Sequence, residues 1–199
     1  EAGAAVKQAG VADQIKHINQ AALAECDGRD GLVDGVVTDP RACSFDPGQL
    51  QCSASNKDAT CLTPVQVKAV RDLYAGHKTK SGVTSAYPLS RGGEAAWLIY
   101  VSATKKPDLP SFLAGSSGQG LGGLRQQLFG NPEFDLTKFN FDQDYATLKG
   151  SAFAAEYEAK DPDISPFINN CGKLLMWQVM DDPGRIPSAA VEYYGEMNA

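Results

Sequence analysis

A chain of 199 residues, 43% hydrophobic and 21% charged, can bury one good core, or a lid plus a fragment of another domain. Its formal net charge of −6 makes nucleic acid and anionic membrane poor partners. No apolar run approaches the ~20 residues needed to span a bilayer, and no export signal is visible at Glu1, so a leader was removed or the chain starts mid-protein.

Val11, Ile15, Ile18 and Ala22 recur at helical spacing with Asp13 and Gln14 on the other side, which predicts a helix over about residues 12–25. His17 on that helix reads as a surface or capping residue. The helix delivers the chain into Cys26-Asp27-Gly28-Arg29-Asp30-Gly31-Leu32-Val33-Asp34-Gly35-Val36-Val37-Thr38-Asp39-Pro40-Arg41-Ala42-Cys43. Asp27, Asp30 and Asp34 fall within eight residues, each followed closely by glycine. Carboxylates about 5 Å apart at an effective dielectric near 20 repel by roughly 3 kcal/mol per pair, so a loop that gathers them wants a cation. Oxygen-only ligands on a supple loop suit Ca²⁺ better than Zn²⁺ or Mg²⁺. The expected ligands are the carboxylates of Asp27, Asp30 and Asp34 with the carbonyls of Leu32 and Val36. Asp-Gly is equally a turn dipeptide, and the EF-hand pattern is not met, so a solvated, turn-rich loop stands beside the metal reading.

Cys52 and Cys61 bracket a short polar segment. Pairing sequence neighbours (Cys26 with Cys43, Cys52 with Cys61) gives two small loops, leaves Cys171 alone and places the protein in an oxidising compartment. Zinc is the rival use of these cysteines, but no Cys-x-x-Cys occurs and only His17 and His77 are available.

Thr63-Pro64-Val65-Gln66 is a capping box with proline at the first helical position. It predicts a helix to about Tyr74, stopped by Gly76, with Val67, Val70, Leu73 and Tyr74 as its buried stripe. His77 then sits where a cation favours the helix dipole. Residues 78–92 read as an extended loop, and Ala95 to Val101 as a buried apolar run. Gly118-Gln119-Gly120-Leu121-Gly122-Gly123 fits G-x-G-x-x-G, but without a preceding strand it is no dinucleotide site; a flexible lid loop near a substrate mouth is the expected use. Leu124 to Phe129 reads as a short helix. Phe134, Phe139, Phe141 and Tyr145 could line an aryl pocket, though lid core is the commoner use of such rings. From Lys173 to Val179 a near-continuous apolar run fits a buried parallel strand. The turn Asp181-Asp182-Pro183 follows, then a helix opened by Ile186-Pro187-Ser188: half of an α/β unit.

The wording of the acidic loop resembles the calcium loop of the tannase and feruloyl esterase family, whose members include chlorogenate esterases and terephthalate monoester hydrolases. Further segments are similar: Cys61-Leu62-Thr63-Pro64-Val65-Gln66, Gly93-Glu94-Ala95-Ala96-Trp97, Phe139-Asn140-Phe141-Asp142-Gln143-Asp144 and Asp161-Pro162-Asp163-Ile164-Ser165-Pro166-Phe167. The resemblance implies Ca²⁺ in the loop, the two neighbour disulfides and a secreted or periplasmic enzyme. Cys171 falls where the family more often has a small residue, which implies a buried thiol. It implies an α/β-hydrolase fragment: a mostly irregular α+β lid domain over 1–165 with its calcium loop at 26–43, then one strand and helix of the hydrolase core over 166–199. Gln178-Val179-Met180-Asp181-Asp182-Pro183 stands where the family has His-Gly-x-x-Asp-Pro, which puts Asp182 at the position of the triad acid; Gln178 and Val179 depart from that pattern. The competing use of Asp182 is as a turn residue ahead of the helix.

Ester hydrolysis on this scaffold also needs a serine elbow and a histidine. The family's serine motif falls before residue 1 and its histidine after Ala199; Gly115-Ser116-Ser117-Gly118 is no elbow. Three readings follow. The chain supplies lid, Ca²⁺ site and triad acid to a serine esterase of aromatic (phenolic) esters. Alternatively it is a non-catalytic, calcium-stabilised binding module, or one chain of a two-chain esterase. The first is favoured, with an aromatic ester and the missing parts of the hydrolase core, in the same or a separate chain, as its partners.

Overall fold

A computed structural model describes residues 10–99, 130–131, 134, 138–182, 184 and 186–198. The glycine-rich segment at 118–123, the expected helix at 124–129 and Gly115-Ser116-Ser117-Gly118 lie outside the described residues. Helix α1 spans Val11–Cys26, within two residues of its predicted ends. No glycine or proline interrupts it, and Asp13 in its first turn opposes the positive end of the helix dipole. Gln14, Ile15, Ile18, Ala22 and Cys26 form its buried face.

Helix α2, Pro64–Ala75, begins on the capping box. The Thr63 hydroxyl accepts from the Gln66 N–H at 3.3 Å, and the Gln66 side chain accepts from the Thr63 N–H at 2.9 Å. Val67, Val70 and Tyr74 face inward as expected, but Leu73 is 44% exposed. At 100° per residue Leu73 falls on the edge of the stripe that Val67, Val70 and Tyr74 define. The buried faces of α1 and α2 meet around Phe45, Leu62 and Trp97, with the disulfide Cys26–Cys43 inside the same core.

The extended loop expected after α2 is instead a small antiparallel hairpin, β1 (His77–Lys78) with β2 (Thr84–Ala86), turning at Gly82. Val83, Thr84 and Ser85 supply strand-forming residues whose pairing a propensity reading undervalued. His77 is therefore a strand residue: its Nδ1 lies 2.6 Å from the Ser85 hydroxyl and its ring centroid 4.8 Å from that of Phe141. The apolar run after Gly93 forms a 3₁₀ turn, Glu94–Ile99, packed on α1, with Trp97 buried.

Short helices α3 (Gln143–Lys149), α4 (Ala152–Tyr157) and α5 (Ser165–Asn169) precede the C-terminal segment. Cys171 is exposed, not buried, and has φ 62°. It occupies the left-handed position that closes α5, where Gly172 N–H reaches back to the Phe167 carbonyl at 3.0 Å. Residues 173–179 form no strand. Leu175 is 89% and Trp177 83% exposed. A parallel strand takes its ladder and its burial from neighbours on both sides, and the described residues hold none for it. Helix α6, Pro187–Met197, opens at the expected proline. It is tied to the rest by Tyr87 O–H to Glu192 (3.1 Å), Tyr193 O–H to the Asp161 carbonyl (2.8 Å) and Ser188 O–H to the Pro88 carbonyl (3.2 Å).

Candidate functional site

The acidic loop starts where α1 tightens into a 3₁₀ turn, Asp27–Asp30, and closes at the Cys26–Cys43 disulfide. Gly31 and Gly35 take φ of 95° and 83°, left-handed values that side chains resist, so the loop can double back twice. Asp27 is buried at 7% exposure. Its two carboxylate oxygens accept the N–H of Asp34 at 3.2 Å and of Gly35 at 2.9 Å, which draws both ends of the acid run together. Asp30 accepts the Leu32 N–H at 2.9 Å and the Thr38 hydroxyl. The Thr38 hydroxyl first, then the Leu32 amide, hold its carboxyl below the usual range. Asp34 accepts the Val36 N–H at 3.1 Å. Leu32 and Val36 leave their side chains exposed, so backbone hydrogen bonds and not packing fix them.

Arg29 spans the loop from outside, donating to the Ala42 carbonyl at 2.5 Å, the Ser44 hydroxyl at 2.8 Å and Glu25 at 3.3 Å. Asp39 is taken by Arg41 at 2.8 Å and lies outside the ring. The five expected donors are thus all oxygens on one short, stapled loop, the donor chemistry of a hard divalent cation. Among the described residues no three acidic, histidine or cysteine side chains are grouped as a metal cluster. Asp27, Asp30 and Asp34 are turned to backbone amides, each carboxylate oxygen keeping a further lone pair.

The second disulfide, Cys52–Cys61, is also formed, and it pins the chain just before α2. The acid turn lies at the other end of the sequence. Asp182 is half-buried, and its Oδ1 accepts the Gly184 N–H at 2.8 Å. Met180, two residues earlier, helps line a cleft of 460 Å³ with Arg41, Leu89, Arg91 and Val191. Arg91 is held there by the Phe45 carbonyl at 2.9 Å and lies over the Tyr74 ring at 4.3 Å. His17 stays on the half-buried flank of α1 and His77 in the hairpin. Of the aromatic stretch, Phe139 and Phe141 meet edge to face at 5.1 Å and Tyr145 donates to the Thr84 carbonyl at 3.0 Å. Those contacts make them a brace for the hairpin.

Sequence reasoning quoted Glu94 only within a segment similar to the family and gave it no role, yet it is a carboxylate at 0% exposure. Tyr74 donates to it at 2.5 Å and Asn19 at 2.9 Å. Burial, then the Glu94 charge, push the Tyr74 phenol far above its ordinary range, so it stays a donor. The available signal was a single acid opening an apolar run, Glu94-Ala95-Ala96-Trp97.

The family model described as tannase and feruloyl esterase matches residues 1–199. An uncharacterized esterase of Xanthomonas campestris is 32% identical over 92% of this chain and 33% of its own length. A probable feruloyl esterase B-1 of Aspergillus flavus is 28% identical over 80% of this chain and 28% of its own. A mono(2-hydroxyethyl) terephthalate hydrolase of Piscinibacter sakaiensis is 28% identical over 92% and 36%. The crystal structure of feruloyl esterase B from Aspergillus oryzae superposes with a TM-score of 0.78 at 24% identity, covering 98% of this chain and 37% of that one. The chain spans about a third of the length of these relatives.

Proposed function

Because this chain belongs to the tannase and feruloyl esterase family, we propose that it is the lid and acid-bearing part of a serine carboxylic ester hydrolase acting on aromatic (phenolic) esters. The observation that carries the reading is the bare apolar run from Leu174 to Val179, which ends at the acid turn. An exposed Trp177 and Leu175 beside a helix that is itself half-covered fit one element of an incomplete sheet. The remainder of that sheet, in the same polypeptide or a second chain, would supply serine, histidine and oxyanion hole.

In this reading Asp182 accepts the imidazole N–H of the incoming histidine, selects its tautomer and stabilises the imidazolium that forms when serine attacks the ester. The cleft beside the turn gives the substrate a wall from the lid. Residues 1–165 form that lid and 166–199 the partial core. Ca²⁺ belongs to the proposal as a structural ion held by Asp27, Asp30 and Asp34 with the Leu32 and Val36 carbonyls. Bound there it would offset two of the three carboxylate charges; it would take no part in the chemistry. The two disulfides support a secreted or periplasmic location.

Methyl ferulate hydrolysis tests the assignment. The full-length protein is expected to turn it over, and Asp182→Asn to lower kcat by about 10⁴-fold. The 199-residue chain alone is expected to be inert. Turnover by the isolated chain, or full activity in Asp182→Asn, contradicts it.

A further inference from the structure

The corner Gly92-Gly93-Glu94 has no part in the chemistry above, yet it joins the lid core to the acid turn. Glu94 is fully buried, and its two side-chain partners come from the helices α1 and α2. Tyr74 of α2 donates to one oxygen at 2.5 Å, Asn19 of α1 to the other at 2.9 Å, and the Gly92 N–H reaches both at 3.0 Å. Asn19 also donates to the Gly92 carbonyl at 2.9 Å, and Ala96 N–H to the Gly93 carbonyl at 3.1 Å. The main chain is therefore held on an N–H and two successive carbonyls. A buried carboxylate is costly unless its hydrogen bonds are saturated, and here they are spent on fixing backbone.

What this clamped corner presses on is Asp181. A Cβ at Gly93 would stand 3.1 Å from the Asp181 Cβ, 3.1 Å from its carbonyl oxygen and 3.3 Å from its Cα. Such distances are tighter than most Cβ contacts, so a side chain at Gly93 would make the turn give way by a few tenths of an ångström. Asp182 is the next residue along. We infer that the Gly92–Glu94 corner is a positioning platform for Asp182: Gly93 sets how far the acid turn advances, and Glu94, with Asn19 and Tyr74, keeps Gly93 still. The inference rests on the reading of Asp182 as triad acid. Gly93 and Glu94 act through Asp182 and are positioning residues. A methyl group at Gly93 pushes the turn by a few tenths of an ångström, and misplacement approaching 1 Å costs up to about 10²-fold in rate.

The experiment uses the full-length esterase as wild type, Gly93→Ala, Glu94→Gln and the control Gly195→Ala, where a Cβ meets nothing within 4 Å. Gly93→Ala is expected to lower kcat roughly 3- to 10-fold with KM for methyl ferulate changed less than about twofold. The acid limb of its kcat/KM profile should move to lower pH, because a displaced carboxylate supports the imidazolium less. Gly195→Ala should match wild type. An active wild type with unchanged kcat in folded Gly93→Ala overturns the inference and leaves the esterase reading standing. A wild type that hydrolyses no ester removes both. Should Gly93→Ala fold poorly, Glu94→Gln decides: a lowered kcat at constant KM supports the platform, and wild-type kinetics refute it. Amide exchange at Gly184 gives a readout without turnover; it should quicken in Gly93→Ala, and an unchanged rate counts against the contact.

Discussion

Around the stapled loop Phe45 and Leu62 are each 1% exposed, whereas near the C-terminus Trp177 is 83% and Leu175 89% exposed. Both stretches are apolar. They differ in what their backbone requires. The first is enclosed by α1 and α2, which satisfy their own amides and need only one face covered. The second is strand-like sequence, which needs ladder partners on both edges before its side chains can be covered. The helical region around the loop can thus close on itself, while the apolar run near the C-terminus finds no ladder partner among the described residues.

Truncation of one large ring in each region tests the contrast most strongly. Phe45→Ala should cost about 3–5 kcal/mol in urea unfolding. Trp177→Ala in this chain should stay within about 0.5 kcal/mol, as surface changes do. In the full-length protein Trp177→Ala should rise to a core-like cost of about 3–5 kcal/mol if the run is buried there. Equal, small effects in both settings would break the comparison and with it the incomplete-sheet reading.

Removal of the proposed calcium should act on one side of the contrast only. Excess EGTA should lower the melting temperature by about 5 °C, worth about 1–2 kcal/mol at this size. Asp30→Ala should mimic it, and the loss of amide protection should be confined to the acidic loop and the end of α1. A melting curve unchanged after the ion has left would leave the loop as turns alone.

The smallest effect is electrostatic. Arg71, 2.7 Å away, is the first cause holding the Asp46 carboxyl below its ordinary 3.8, and the Gly48 N–H adds to it. A depressed folded-state value means the stabilisation is complete above pH 3.8 and lost as pH falls through the folded value. Both side chains are half-exposed, so the gain is at most about 1 kcal/mol. Asp46→Asn should remove that share of the acid sensitivity of denaturant midpoints below pH 4. A midpoint slope identical to wild type there would show that the pair contributes nothing.

Local signals were legible where the cause is local. The periodicity of Ile15, Ile18 and Ala22, the Thr63–Gln66 box and the spacing of four cysteines each act over a few residues, and each appears as read. Two residues of α1 were misplaced: Val11 at its start is 52% exposed, and Gln14, expected on the other side, is buried because its amide meets the Cys61 carbonyl and the Gln66 side chain. Leu73 was misplaced because stripe edges depend on which neighbour arrives. Cys171 was misread because its exposure follows from the left-handed turn closing α5, a conformation no composition rule assigns to cysteine.

By itself, then, the sequence determined α1, α2 with its capping box, the start of α6, the stapled acidic loop and the kinship to an esterase family. Propensity, capping and loop closure are written within a short span of chain. Tertiary structure alone decided that Glu94 is a buried anchor, that Gly93 abuts Asp181, and that the run to Val179 lies bare. Those outcomes depend on groups more than seventy residues apart in the chain (Asn19 and Glu94, Gly93 and Asp181) meeting in space. Periodicity carries no record of such meetings.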